Sequence, residues 1–151
     1  MKAQTTFSSP LGMLEITEED GELVSILFVS SSTPSTPPST PLLSKAKKEM
    51  EEYFRGKRSS FTLPLSPKGT PFQKKVWEIT STIGYGETKS YGEIAEIMGS
   101  KAYRAIGSAL GANPLPIVIP CHRVKAKASI GGYSGGLDKK RILLSIEGIK
   151  A

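Results

Sequence analysis

The sequence is poor in the residues that most chemistry draws on. It holds one cysteine and one histidine in 151 residues, so an internal disulfide is excluded, and that pair by itself cannot supply the four ligands of a structural zinc site. No metal and no cofactor is expected. No apolar run approaches the roughly 20 residues of a membrane helix. Met1-Lys2-Ala3-Gln4 begins no charged-then-apolar signal, so the expectation is a cytoplasmic protein with no membrane partner. Side-chain amides are nearly missing too: Gln4, Gln73 and Asn113 are the whole set. With many Lys, Glu and Pro, that scarcity resembles a thermophile's composition.

What is present is concentrated. The single cysteine and the single histidine are adjacent, Cys121-His122, inside Ile119-Pro120-Cys121-His122-Arg123-Val124. A soft nucleophile beside the only side chain that titrates near neutral pH is the minimum for thiolate chemistry. Inert packing is the alternative, because free cysteine is among the most buried residue types. Charge is concentrated as well. Residues 1–64 carry seven Lys and Arg against eight Asp and Glu, a balance of −1, whereas residues 65–151 carry thirteen against six, a balance of +7. The second part is therefore the one to meet a polyanion, unless its basic surface serves only solubility.

The composition, 38% hydrophobic and 23% charged, fits a soluble globular chain of one domain or two small ones. Apolar and polar residues alternate through Phe7, Met13 to Thr17 and Leu23 to Val29, punctuated by Ser8-Ser9-Pro10-Leu11-Gly12 and Glu19-Asp20-Gly21. This predicts three antiparallel strands. Residues 30–41 are all Ser, Thr and Pro, have nothing apolar to bury and read as a flexible loop. Leu43, Ala46, Met50 and Phe54 mark an amphipathic helix stopped by Gly56, and Ser60-Phe61-Thr62-Leu63 is expected as a short strand. A domain boundary is placed after Pro64, giving domains 1–64 and 65–151, an α+β chain.

Thr70-Pro71-Phe72-Gln73 is a capping box with proline at the first helical position. It opens a helix with Phe72, Val76, Ile79 and Ile83 inward. Ser90-Tyr91-Gly92-Glu93 is a second capping box, for a short helix with Ile94 and Ile97 inward that closes at Gly99. Ser100 is expected to cap a third helix, with Ala102, Ala105, Ile106, Ala109 and Leu110 as its inner face. Two short helices joined by a glycine turn have the form of a helix-turn-helix, although helical hairpins also occur in proteins that touch no nucleic acid. Prolines 114, 116 and 120 fix the backbone around the Cys-His pair, and Ser129 to Gly136 is glycine-rich enough for close backbone approach to a ligand. A last helix runs from Leu137 to Ile146 and ends at Glu147-Gly148.

Asn113-Pro114, Ile119 to Val124, Gly132-Tyr133-Ser134-Gly135-Gly136-Leu137 and Glu147-Gly148, in this order and spacing, resemble the O6-alkylguanine-DNA alkyltransferases, or methylated-DNA-protein-cysteine methyltransferases. The resemblance covers Phe72 to Gly148; residues 1–64 match only in outline. It implies a ribonuclease-H-like first domain with a three-stranded sheet, and a helical, winged helix-turn-helix second domain. It also implies a monomer that takes an alkyl group from O6-alkylguanine, and by extension O4-alkylthymine, in double-stranded DNA onto its own cysteine, once and irreversibly.

By that resemblance Cys121 is nucleophile and acceptor, His122 draws off its proton through a water, and Glu147 orients His122. Such a base and the basic surroundings are expected to lower the thiol pKa. Tyr91 and Lys140 would assist departure of the guanine oxyanion, and Ser134 would donate toward O6. Simpler readings of these three are a helix cap, a solvated face and a turn. Asn113 would fix the turn before the active-site strand. Tyr133, Gly135, Pro116 and Val124 would surround the base, with carbonyls near Cys121 and Val124 accepting from its amino group. The target must be flipped out of the stack, with Arg104 filling the gap. Ala105, Ser108, Ala109 and Gly111 would lie close in the minor groove, and Arg123 would serve at the DNA side and brace the site. Gly132 departs from the asparagine common in the family, which is expected to soften the loop.

Three competing readings remain at this point. An alkyltransferase-like protein that binds the lesion without reacting would lack the motif's cysteine, which is present here. A plain winged-helix regulator predicts DNA affinity without preference for alkylated DNA. A thiol hydrolase would need an oxyanion hole and turnover.

Overall fold

Alternation in the first thirty residues builds three strands, β1 (Lys2–Ser9), β2 (Gly12–Glu19) and β3 (Glu22–Val29), in an antiparallel sheet of that order. Asp20 and Gly21 join β2 to β3 at φ 52° and 84°, the left-handed pair that a tight two-residue hairpin demands. Phe7 faces Leu14, and Ile16 faces Ile26. Helix α1 (Pro41–Phe54), N-capped by the Thr40 hydroxyl, which accepts from Leu43 N–H, lies on β1 and β2. Leu14, Ile16, Leu23, Leu43, Ala46, Met50 and Tyr53 are fully buried, and a large aliphatic side chain so buried contributes about 1.5–3 kcal/mol. The computed structural model describes residues 2–126, 129–133 and 135–149 and divides the chain into two units, Met1–Pro67 and Lys68–Ala151.

Two expectations for the first unit are corrected. Residues 60–63 form no strand. The buried carboxylate of Glu49 accepts from Thr62 N–H at 2.8 Å and from Thr62 Oγ1 at 2.6 Å, so a side chain takes the donor that a ladder would use. The contact falls later, where Leu23 pairs with Leu65 and Ser66 N–H donates to Leu23 O at 2.8 Å. The Ser/Thr/Pro loop is tied down midway. Thr36 N–H donates to Thr6 O at 2.9 Å, Thr6 N–H to Thr36 Oγ1 at 2.9 Å and Thr5 Oγ1 to Thr36 O at 2.8 Å. It thereby covers the open edge of β1, where unpaired backbone groups would otherwise be exposed.

The second unit is helical: α2 (Pro71–Thr80), α3 (Tyr91–Met98), α4 (Tyr103–Gly111) and α5 (Leu137–Ile146), with a two-residue parallel ladder between β4 (Lys89–Ser90) and β5 (Val124–Lys125). Both capping boxes form. Gly99 closes α3 at φ 64°, and α3 and α4 make the helix-turn-helix. Trp77, buried on α2, donates from Nε1 to Ala109 O at 2.7 Å and so seats α4. Four details differ from the periodicity. Ile83 lies beyond the end of α2, though buried, and Ile97 is 54% exposed. Ala102 and Ala105 are exposed, because α4 buries only the Ile106, Ala109 and Leu110 stripe. Ser100 gives no side-chain cap to α4, whose N-cap residue is Ala102; its hydroxyl accepts from Ala102 N–H instead. Among the described residues, no helix is long and apolar enough to cross a membrane.

Candidate active site

The prolines before Cys121 place it on a single turn of 3-10 helix, Cys121–Arg123, which runs directly into β5. Because β5 pairs with β4, Lys89 to Val124 and Ser90 to Lys125, the start of α3 is held beside that turn, and Tyr91 with it. Asn113, the one asparagine of the chain, ties the approach together. Its Nδ2 donates to Ile119 O at 2.9 Å and to Cys121 Sγ at 3.2 Å, and its Oδ1 accepts from Leu115 N–H at 2.9 Å. Between these contacts Ile117 holds φ 77°, a strained value for a β-branched residue that persists only when its surroundings over-determine it.

His122, with no exposed surface, shares a hydrogen bond from Nε2 to Glu147 Oε2 at 2.7 Å. Glu147 caps the C-terminus of α5, where the helix dipole disfavours a carboxylate, so the charge needs donors. It has them in Arg123 Nε at 2.8 Å, Arg123 Nη2 at 3.1 Å and Gly86 N–H at 3.0 Å, besides His122. Burial pulls the His122 pKa down, as do the Arg123 and Lys140 charges, while Glu147 pulls it up. The imidazole is thus neutral at pH 7, and donation from Nε2 to the carboxylate makes Nδ1 its basic nitrogen.

The thiol does not behave as expected from sequence. Cys121 is 6% exposed, and burial pushes its pKa up; the Asn113 hydrogen bond and the Lys140 charge work against that without reversing it. A resting thiol beside a neutral imidazole, rather than a standing thiolate, is the ground state.

Lys140 is fully buried on α5, which disposes of the solvated-face reading. Its ammonium donates to Val124 O at 2.6 Å and to Gly132 O at 2.9 Å, and burial brings its pKa down to about 8. Tyr91 accepts from Gly132 N–H at 3.4 Å. Gly132 is therefore held through both backbone groups. Gly131 explains how close this packing is: at φ 75°, a Cβ there would meet the Tyr91 hydroxyl at 2.9 Å.

These elements enclose a cavity of about 240 Å³ lined by Tyr91, Gly107, Leu110, Gly111, Cys121, Gly132 and Tyr133. That is below the usual range for drug-sized ligands and suits one flat ring system. Cys121, Tyr91 and Tyr133 come together as expected. Pro116 and Val124 do not line it, being buried in the turn and in β5, and Gly135 does not line it either. The Val124 carbonyl, expected to accept from a base, is taken by Lys140. Ser134 lies outside the described residues. Gly107 and Leu110 carry no sequence signal for the cavity, because periodicity assigns Leu110 to the inner stripe of α4 and gives Gly107 no part.

On the outer side of α4, Arg104, Ala105, Ser108 and Gly111 are all exposed and share one face at helical spacing. Two residues leave the expected DNA surface. Ala109 is buried beneath Trp77, and Arg123 is 7% exposed, its guanidinium spent on Glu147 and, through Nη1, on Ile83 O at 2.7 Å. Arg123 is a brace and contacts no outer surface.

With this geometry described, similarity to known proteins is informative. Residues 71–149 match the model of the 6-O-methylguanine DNA methyltransferase DNA binding domain, and residues 3–67 that of the 6-O-methylguanine DNA methyltransferase ribonuclease-like domain. A constitutive methylated-DNA–protein-cysteine methyltransferase of Bacillus subtilis is 45% identical, covering 99% of this chain and 97% of its own. A Methanosarcina acetivorans protein named methylated-DNA–protein-cysteine methyltransferase is 40% identical over 94% and 96%. The crystal structure of Mycobacterium tuberculosis O6-methylguanine methyltransferase superposes with a TM-score of 0.88 at 36% identity, covering 100% of this chain and 95% of that one. The same organism's OGT in complex with DNA gives 0.85 at 38%, over 97% and 94%.

Proposed function

Because the chain belongs to the 6-O-methylguanine DNA methyltransferase family through both of its units, we propose that it repairs O6-alkylguanine in double-stranded DNA with Cys121 as the acceptor and His122, Glu147, Asn113, Tyr91 and Lys140 as the machinery around it. The activity is that of a methylated-DNA–protein-cysteine methyltransferase. The observation that carries the assignment of residues is the pair of buried hydrogen bonds, Asn113 to the Cys121 sulfur and His122 to Glu147, on adjacent residues of one turn beside a cavity that Cys121 lines.

The flipped guanine enters that cavity between Tyr91 and Tyr133 with its O6 substituent toward the sulfur. The Cys121 proton passes through a water to His122 Nδ1, and the Glu147 carboxylate, held in place by Arg123, stabilises the imidazolium that results. The thiolate attacks the alkyl carbon; a carbon–sulfur bond forms as the carbon–O6 bond breaks. The electron pair stays on O6, where a proton from Tyr91, with the Lys140 charge nearby, neutralises it. O4-alkylthymine presents the same bond to the same thiol. A thioether is a poor leaving group, so each molecule reacts once. On the exposed face of α4, Arg104 fills the vacated stack while Ala105, Ser108 and Gly111, the last also lining the cavity, permit close approach to the minor groove. Action on DNA and dependence on a reduced thiol both support the cytoplasm as the place of work.

Intact-mass measurement after incubation with an O6-methylguanine duplex tests the reading: one methyl per protein on Cys121 is expected. Cys121→Ser should retain the duplex and gain nothing, since a hydroxyl ionises far less than a thiol. Transfer by Cys121→Ser, or more than one equivalent of repaired DNA per protein, would overturn it.

A further inference from the structure

The connection between α2 and β4 carries no residue of the mechanism above, yet it reaches the site at four points. Arg123 Nη1 donates to Ile83 O, and Gly86 N–H donates to Glu147 Oε1. The Tyr85 hydroxyl donates to Ile146 O at 3.1 Å, on the residue just before Glu147. The Tyr85 ring lies against the Arg123 guanidinium, 5.8 Å from centroid to Cζ. Gly86 holds φ 77°, a conformation that aims its N–H at the carboxylate at little steric cost.

We propose that Tyr85 is a positioning residue for the transfer reaction: its ring keeps the Arg123 guanidinium on Glu147, and its hydroxyl fixes the end of α5 from which Glu147 projects. Glu147 divides its charge between Arg123 and His122. When Arg123 is held, the carboxylate is largely matched and His122 remains a neutral base. When Arg123 is released, more of the carboxylate charge falls on the imidazole, while the opposing cation moves away. Both changes favour the protonated ring. The charged groups that act on His122 are Glu147 and Lys140 from α5 and Arg123 from its own turn; only Glu147 and Arg123 respond to Tyr85.

This inference rests on His122 acting as the base, and the test separates the two. Single-turnover methyl transfer from an O6-methylguanine duplex is followed by intact mass across pH for the wild type, Tyr85→Phe, Tyr85→Leu and Glu147→Gln. Because each molecule reacts once, the final alkylated fraction counts the folded protein, and rates are normalised to it. Tyr85→Leu should move the acid limb of the profile to higher pH by about one unit, a roughly tenfold rate loss on that limb. Tyr85→Phe, which keeps the ring and loses only the bond to Ile146 O, should move the limb less than Tyr85→Leu does, and Glu147→Gln should move it to lower pH. An unmoved Tyr85→Leu limb beside a moved Glu147→Gln limb overturns the role of Tyr85 alone. An unmoved Glu147→Gln limb overturns His122 as base and this inference with it. A Tyr85→Phe limb that moves as far as Tyr85→Leu overturns the part given to the ring.

Discussion

Replacing Asn113 by alanine removes three bonds at once and gives the sharpest test of how the thiol is held. Leu115 N–H loses its partner, the Asn113 carboxamide oxygen, and a buried donor so stranded costs about 1–3 kcal/mol, whereas Ile119 O keeps the Cys121 N–H at 2.8 Å. At about 2–4 °C per kcal/mol for a chain of this size the melting midpoint should fall by at least about 2 °C. The third bond, to Cys121 Sγ at 3.2 Å, acts on chemistry. Burial raises the thiol pKa and the Asn113 bond opposes it, so its removal raises the pKa further. A hydrogen bond to a charged sulfur is worth about 1.5–3 kcal/mol, or about one to two pH units. Below the thiol pKa the thiolate fraction should therefore fall about 10- to 100-fold. Iodoacetamide labelling across pH, read by intact mass, reports this directly because the chain has one cysteine. Asn113→Asp keeps the acceptor for Leu115 but sets a carboxylate against the sulfur, and should shift the labelling profile further upward than alanine does. A lowered melting midpoint with an unshifted labelling profile in both variants would refute the electrostatic part of the reasoning and leave Asn113 as a turn fastener only.

Three further outcomes are expected. Arg104→Ala should slow repair in duplex DNA far more than reaction with free O6-benzylguanine, because only the duplex needs its vacated stack filled; equal losses on both would return Arg104 to phosphate contact. Methylation of Cys121 should lower the melting midpoint by about 2–12 °C, since one added carbon at a 6%-exposed sulfur strains a packed site by about 1–3 kcal/mol; coincident melting curves for free and methylated protein would show room to spare. Lys140 binds its proton in the folded state only below about pH 8, and in the unfolded chain up to its ordinary 10.5. Between those values the unfolded state holds more protons, so this group's contribution to stability rises with pH, by at most about 1.4 kcal/mol per unit. Urea denaturation of wild type and Lys140→Met on either side of pH 8 should show the difference between them growing with pH; a constant difference would mean that Lys140 is not desolvated.

The sequence alone determined what depends on near neighbours. The hairpin at Asp20-Gly21, the capping boxes at Thr70 and Ser90 and the stop at Gly99 each need only a few consecutive residues, because hydrogen bonds across three positions and left-handed glycines are local. The adjacency of Cys121 and His122 likewise marked the chemistry, and the motif order around them marked the family. Tertiary structure decided whatever depends on partners far along the chain. Burial, which no local pattern reports, turned the expected low-pKa cysteine into a resting thiol and Lys140 from a surface candidate into a desolvated strap between Val124 and Gly132. Arg123 looked like a DNA contact because isolated arginines on basic chains usually face solvent; a carboxylate 24 residues away draws it inside. Ser60 to Leu63 looked like a strand until the Glu49 carboxylate, 13 residues earlier, took the Thr62 backbone donor. Tyr85 and Gly86 gave no signal at all, since their partners lie 61 residues on, and only the folded chain brings the α2–β4 connection against the end of α5.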